Sequence, residues 1–139
     1  MKWLICDPTP GCMIRVRAGS IHHYGVYVSD GEVIQFGFAP NLRAGQKDAD
    51  VTVLSTSLAD FQNGEASETA VFTPEEAAAH PTPAETITTA RNRMGERGYH
   101  ILYNNCEHFA YECVTGKHYS EQVDSVRERM RKAFGKKND

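Results

Sequence analysis

The sequence lacks a long apolar run, a leader-like N-terminus and the paired cysteines of redox and zinc motifs. No stretch approaches the roughly 18 apolar residues that a membrane span needs. Only four apolar residues follow Lys2 before Asp7-Pro8, too few for the core of a signal peptide. No C-x-x-C spacing occurs among its four cysteines, which are Cys6, Cys12, Cys106 and Cys113. We therefore expect a cytoplasmic protein with reduced thiols.

An overall excess of positive charge is also absent. The chain of 139 residues carries a net charge of −3 at pH 7 with a pI near 6.1, which argues against a dedicated nucleic-acid binder. The charge is uneven, because residues 124–139 contain more Lys and Arg than Asp and Glu. Length and composition fit one soluble domain. We expect a domain over residues 1–123, followed by a basic C-terminal helix and tail over 124–139.

Short strand-like runs dominate the first half of the chain. The alternation of apolar and polar residues predicts strands over 14–17, 24–28, 33–36 and 51–54. Between the second and third runs, Ser29-Asp30-Gly31 predicts a hairpin with a three-residue loop. In that loop Gly31 would be left-handed and Val28 would oppose Glu32. Residues 1–12 and 39–50 are rich in turn residues and are expected to be irregular.

Helix-start signals mark the second half. A helical turn is predicted from Leu58 to Phe61, ending at Asn63-Gly64. Thr73-Pro74 and Thr82-Pro83 each precede a Glu at capping-box spacing, and the second helix is expected to reach about Glu96. A strand over 99–103, a helix from Cys106 to Cys113 and a last helix capped by Ser120 complete the prediction of an α+β domain.

Cys106 follows an asparagine that suits a helix N-cap. The unpaired N–H groups and the dipole of a first helical turn favour a thiolate, so this position suits a nucleophile. The same residue also suits a small buried core position. A nucleophilic cysteine needs a base. His108 lies about 200° around the helix from Cys106 and is expected to face away, whereas His22 and His23 lie at the mouth of the hairpin.

The hairpin register distinguishes those two histidines. A register that pairs Val26 with Ile34 makes one face apolar and places His23 and Gln35 on the other face, about 7–8 Å apart. The Gln35 amide oxygen could then accept the N–H of one His23 nitrogen and leave the other nitrogen as base. A two-residue loop would move Gln35 to the opposite face. Taken alone, Gln35 also suits a solvated strand face.

Several runs resemble one known family. His23-Tyr24-Gly25-Val26-Tyr27-Val28, Val33-Ile34 and Asn105-Cys106-Glu107-His108-Phe109-Ala110 are similar to segments of the lecithin:retinol acyltransferase-like proteins. Weaker similarity extends from about residue 10 to residue 123, with the run Ser120-Glu121-Gln122-Val123 at its end. The Asn-Cys-Glu-His-Phe run is highly specific.

The resemblance implies a circularly permuted papain-like fold with a small antiparallel sheet. It implies Cys106 as nucleophile and His23 as general base, with Gln35 at a position where the family usually has a second histidine. Relatives transfer fatty acyl groups from phospholipids through a cysteine thioester or hydrolyse that thioester, and related enzymes cleave amide bonds. We therefore expect an acyl lipid or peptide-like substrate and no cofactor. A cysteine peptidase or amidase is one alternative. Because Gln cannot pair electrostatically with an imidazolium, a catalytically lapsed interaction module is the other.

Two further patterns concern metal and membrane. Cys106, His108, Cys113 and His118 fit no common zinc spacing, and no metal site is expected. The last helix has an apolar stripe, formed by Val123, Val126, Met130 and Phe134, beside basic faces. That pattern suits a helix packed on the core with a solvated basic side, or an interfacial helix that contacts an anionic membrane.

Overall fold

The computed structural model describes residues 1–37, 51–100 and 105–134. Their centre is a six-stranded antiparallel sheet with the strand order β1-β6-β2-β3-β4-β5. The strands are β1 (Lys2–Leu4), β2 (Met13–Ala18), β3 (Ile21–Ser29), β4 (Glu32–Phe36), β5 (Val53–Thr56) and β6 (Ser67–Val71).

Five helices accompany the sheet in the described part of the chain. They are α1 (Leu58–Gln62), α2 (Pro74–Ala77), α3 (Pro83–Asn92), α4 (Cys106–Thr115) and α5 (Glu121–Phe134). Helix α4 packs on β3 and contributes Phe109 and Ala110 to the main core, where both are fully buried. A smaller core on the other sheet face surrounds Phe61 of α1. The predicted α+β class is therefore confirmed.

The N-terminal segment differs from its prediction. Residues 1–12 were expected to be irregular, yet Lys2–Leu4 form edge strand β1, which pairs with β6. Trp3 packs edge-on against Tyr24, with 5.7 Å between ring centroids, and the Arg15 guanidinium lies 4.1 Å from its ring centroid. The strand β6 was not predicted either. Both strands are short and depend on tertiary partners, which their local sequences do not reveal.

The β3–β4 hairpin reaches the expected register by a different route. Ser29 pairs with Glu32 across a two-residue loop, and Gly31 is not left-handed, so the predicted three-residue loop is wrong. An irregularity between Tyr27 and Ser29 accommodates one additional residue, and beyond it Val26 pairs with Ile34 as expected. The bulge offsets the shift that the shorter loop would have caused. The side chains of the hairpin therefore keep the predicted faces.

Other element boundaries agree in part. The expected N-caps Thr73 and Thr82 both form capping boxes. Helix α3 ends at Asn92, before the expected Glu96, and β5 begins at Val53 instead of residue 51. The predicted loop over 39–50 and most of the predicted strand over 99–103 lie outside the described residues.

Candidate active site

Cys106 is the first residue of α4. The preceding Asn105 is the N-cap, and its side-chain oxygen accepts the N–H groups of Glu107 at 3.0 Å and His108 at 3.1 Å. This cap makes α4 begin at Cys106 and fixes that residue in the first turn of the helix. The predicted position at a helix N-terminus is therefore confirmed, and the side chain of Cys106 is only 6% exposed.

Helix α4, which begins at Cys106, packs on β3. Successive N–H groups of a strand point to opposite edges, and Tyr27 donates to Cys12 on the β2 side. Tyr24 therefore directs its N–H toward β4. Pairing between β3 and β4 ends at Val26 and Ile34, and the Tyr24 N–H beyond it acts to lower the pKa of the Cys106 thiol. Because His23 immediately precedes Tyr24, the cysteine and histidine segments meet beyond the end of this pairing.

The electrostatics of Cys106 differ from the simple helix-terminus expectation. The pKa of the Cys106 thiol is raised to about 11, mainly by burial and in part by the nearby Glu107 carboxylate. The backbone N–H of Tyr24 and those of the first turn of α4 act in the opposite direction but do not outweigh burial. At neutral pH the resting thiol is therefore protonated. Any nucleophilic role requires a base that removes this proton.

His23 and Gln35 form the predicted pair. His23 Nε2 hydrogen-bonds Gln35 Oε1, and both side chains are 2% exposed. The Phe61 ring packs against the His23 ring, with 5.3 Å between centroids. Gly25 lies between these groups, and a Cβ there would come within 2.8 Å of the Phe61 ring, so the strand needs glycine at that point. The hydrogen bond that we expected from the register is present.

His108 has a different environment. Its Nδ1 accepts the backbone N–H of Asn105 at 3.1 Å, which completes the capping box of α4. Its ring stacks on His118, with centroids 4.1 Å apart. The pKa of His108 is lowered to about 4, mainly by burial and in part by His118. Through these contacts His108 stabilises the first turn of α4.

Glu107 is a fully buried carboxylate that joins α4 to α5. It accepts the Ser120 hydroxyl at 2.6 Å and the N–H groups of Glu121 at 3.1 Å and Gln122 at 3.3 Å. These donors are the otherwise unpaired groups of the first turn of α5, so the negative charge also meets the positive end of the helix dipole. Ser120 in turn accepts the N–H of Val123, as the predicted cap requires.

A second hydrogen bond links α5 to β3, the strand that carries His22 and His23. The side-chain oxygen of Gln122 accepts the backbone N–H of His22 at 2.8 Å. The start of α5 is therefore bound to both segments of the candidate site. Sequence reasoning missed the structural roles of Glu107 and Gln122. Both residues lie in runs that carried the family resemblance, and that was the only available signal.

The residues that the structure describes contain neither a metal-binding cluster nor a membrane-spanning helix. No group of three or more His, Cys, Asp or Glu side chains in residues 1–37, 51–100 and 105–134 could hold a metal ion. Over the same residues, no helix has the length and apolarity to cross a bilayer.

The fold and the site define an α+β protein in which a cysteine at a helix N-terminus meets a histidine-bearing strand. The chain belongs to the lecithin retinol acyltransferase family, whose family model matches residues 6–119. It is also 26% identical over 133 residues to human phospholipase A and acyltransferase 4, in a match that covers 87% of this chain and 78% of the relative. The family resemblance that the sequence motifs suggested is thereby confirmed.

Proposed function

We propose that the protein is a cysteine-dependent acyltransferase or hydrolase that works on acyl lipids through a thioester on Cys106. The observation that carries this proposal is the position of Cys106 in the first turn of α4, which packs on the strand β3 that carries a buried His23 held by Gln35. The family and the human relative, whose name states phospholipase A and acyltransferase activities, support an acyl lipid as substrate. The permuted papain-like arrangement is part of the same proposal.

The proposed reaction has two halves. His23 takes the thiol proton while the Cys106 sulfur attacks the carbonyl carbon of an acyl ester. The ester C–O bond breaks, the departing alcohol receives that proton, and the acyl group remains as a thioester. Water or an acceptor amine or hydroxyl then attacks the thioester, its proton passes through His23 to the sulfur, and Cys106 is regenerated.

The raised pKa of the thiol fits a mechanism in which the base acts during attack. With the Cys106 pKa near 11, little thiolate exists before substrate binds. Gln35 holds the His23 ring by a hydrogen bond but carries no charge to stabilise an imidazolium. We therefore expect turnover that depends strongly on His23 and a slow reaction of the free enzyme with thiol reagents.

Acyl transfer to Cys106 is tested by intact-protein mass spectrometry after incubation with phosphatidylcholine. We expect one acyl adduct, located at Cys106 by peptide analysis and absent from Cys106→Ala. Cys113→Ala is the matched control, because Cys113 is a buried cysteine on the same helix with a pKa also raised to about 11. An adduct that persists in Cys106→Ala would refute the assignment. A lapsed interaction module would give no adduct with any lipid or peptide substrate.

We also propose that α5 contacts an anionic lipid surface. Val123 is buried and Val126 half-buried, but Met130 is 54% exposed, so the apolar stripe leaves the protein body along the helix. The exposed residues around Met130 are mainly cationic, namely Arg127, Arg129, Arg131 and Lys132 beside Glu128. Apolar and cationic groups on one exposed helix suit the headgroup region of a membrane.

Sedimentation with vesicles tests this contact. Each basic residue near an anionic membrane contributes about 1 kcal/mol, so Arg129→Glu/Lys132→Glu should weaken binding to phosphatidylserine-containing vesicles at least about tenfold. Lys2→Glu/Lys117→Glu changes the net charge equally at exposed positions outside α5 and should bind like the natural chain. Equal weakening by both variants would reduce the effect to net charge alone and contradict a contact through α5.

A further inference from the structure

The hydrogen bonds of the candidate site extend beyond Gln35 to the neighbouring strand. Thr56 of β5 lies opposite Val33, which makes it a diagonal neighbour of Gln35 on the same face of the sheet. Gln35 Nε2 donates to Thr56 Oγ1 at 2.7 Å, and Thr56 Oγ1 donates to the Ser57 carbonyl at 3.1 Å. No sequence motif singled out Thr56.

The donors and acceptors of this chain of bonds fix its direction. A threonine hydroxyl has one hydrogen, and here it goes to the Ser57 carbonyl. Thr56 must therefore accept from Gln35, which requires the NH₂ end of the amide. The carbonyl end of Gln35 then faces His23 and can only accept. With the amide in this orientation, a neutral His23 ring carries its proton on Nε2 and its lone pair on Nδ1.

The orientation of the Gln35 amide has to be fixed by a partner other than His23. The two ends of the Gln35 side chain have nearly the same shape but opposite hydrogen-bonding roles, so the ring contact alone allows either orientation. A reversed amide would donate to Nε2 and move the proton to Nδ1. Nδ1, the nitrogen that does not contact Gln35, would then carry a proton and have no lone pair.

We propose that Thr56 is a positioning residue, which sets the orientation of the Gln35 amide and through it the tautomer of His23. The catalytic consequence rests on the proposed function of His23 as the base for Cys106. The tautomeric consequence does not, because the hydrogen-bond geometry determines it with or without turnover.

Nitrogen NMR of the imidazoles tests the proposal directly. The ¹⁵N shifts of a neutral histidine distinguish the two tautomers, and His23→Gln assigns the signals. We expect the Nε2–H tautomer in the natural chain and in Thr56→Ser, which keeps the hydroxyl. Thr56→Val has nearly the same shape without it, and we expect the His23 signals to move toward the other tautomer. Unchanged His23 signals in Thr56→Val would overturn the proposal.

Kinetics provide the second readout. Loss of one orienting hydrogen bond should lower kcat about tenfold with little change in KM, and Thr56→Ser should restore most of it. Thr69→Val is the matched control, because Thr69 is a buried strand residue of β6 whose hydroxyl bonds the Cys6 carbonyl. An equal loss in Thr69→Val would assign the effect to general destabilisation and contradict the proposal.

The two readouts separate failure of this inference from failure of the proposed function. A tautomer change without any acyl transfer by the natural chain would support the role of Thr56 and refute catalysis by His23. Acyl transfer that depends on Cys106 and His23, together with an unchanged tautomer in Thr56→Val, would refute the role of Thr56 alone.

Discussion

Two buried histidines lie close in sequence to the meeting point of β3 and α4, but the protein uses them differently. His23 bonds Gln35 through Nε2 on the sheet, whereas His108 accepts the Asn105 N–H through Nδ1 on the helix. Both rings are nearly inaccessible, at 2% and 4% exposure. If His23 is the base, as we propose, then burial and proximity in sequence do not identify it. What distinguishes the two is which ring nitrogen the backbone or a neighbour already occupies.

The largest expected effect comes from the same substitution at both histidines. His23→Gln should lower kcat/KM roughly 10²–10⁴-fold, because it removes the proposed general base. His108→Gln should lower it less than about tenfold, because Gln at this position of a capping box supplies the needed acceptor. Steady-state hydrolysis of a phospholipid analogue measures both. Equal losses in the two variants would show that the distinction between these histidines is incorrect.

A large stability effect is expected beside His108. Glu107→Ala removes a buried carboxylate that accepts three hydrogen bonds from the start of α5. Hydrogen bonds to charged groups contribute about 1.5–3 kcal/mol each, and the cost of burying the carboxylate offsets part of their sum, so the free energy of unfolding should fall by on the order of 3 kcal/mol. Urea denaturation measures it. Glu128→Ala, on the exposed part of α5, is the control and should stay within about 0.5 kcal/mol. A similarly small change in Glu107→Ala would show that α5 is anchored by other contacts.

The pH dependence of the free energy of unfolding tests the environment of His108. Burial lowers the pKa of His108 to about 4, so below pH 6.5 the unfolded chain binds a proton that the folded chain does not. The contribution of His108 to stability is therefore present above pH 6.5 and is lost as the pH falls toward 4. We expect urea midpoints between pH 7 and pH 4 to decline less steeply in His108→Gln. Parallel pH profiles would contradict this assignment.

The smallest effect is expected at the helix cap. Asn105→Ala should lower the free energy of unfolding by about 1 kcal/mol, because the N–H groups of Glu107 and His108 lose their acceptor. Asn105→Ser should retain most of the stability, since serine is also a favourable N-cap. Thermal denaturation of the three proteins measures the difference. Equal stability of the alanine and serine variants would indicate that the cap contributes little.

The hairpin illustrates how far sequence reasoning reached. The alternation of apolar residues was sufficient to pair Val26 with Ile34 and to place His23 and Gln35 together, and the observed register agrees. The loop prediction was wrong, because a bulge between Tyr27 and Ser29 compensates for the shorter turn. Apolar burial fixes the faces of a strand strongly, whereas turn and bulge combinations that preserve those faces differ little in pattern.

The amino-acid sequence by itself determined the family, the α+β class, the helix caps and the candidate pair Cys106 and His23, because specific motifs, capping residues and periodic apolar positions are local signals. Only the tertiary structure decided the edge pairing of β1 with β6, the anchoring of α5 by Glu107 and the bond from Gln35 to Thr56. Each of these contacts joins residues distant in the chain. Their formation depends on which polar groups the folded backbone brings within hydrogen-bonding distance, and no local pattern encodes that distance.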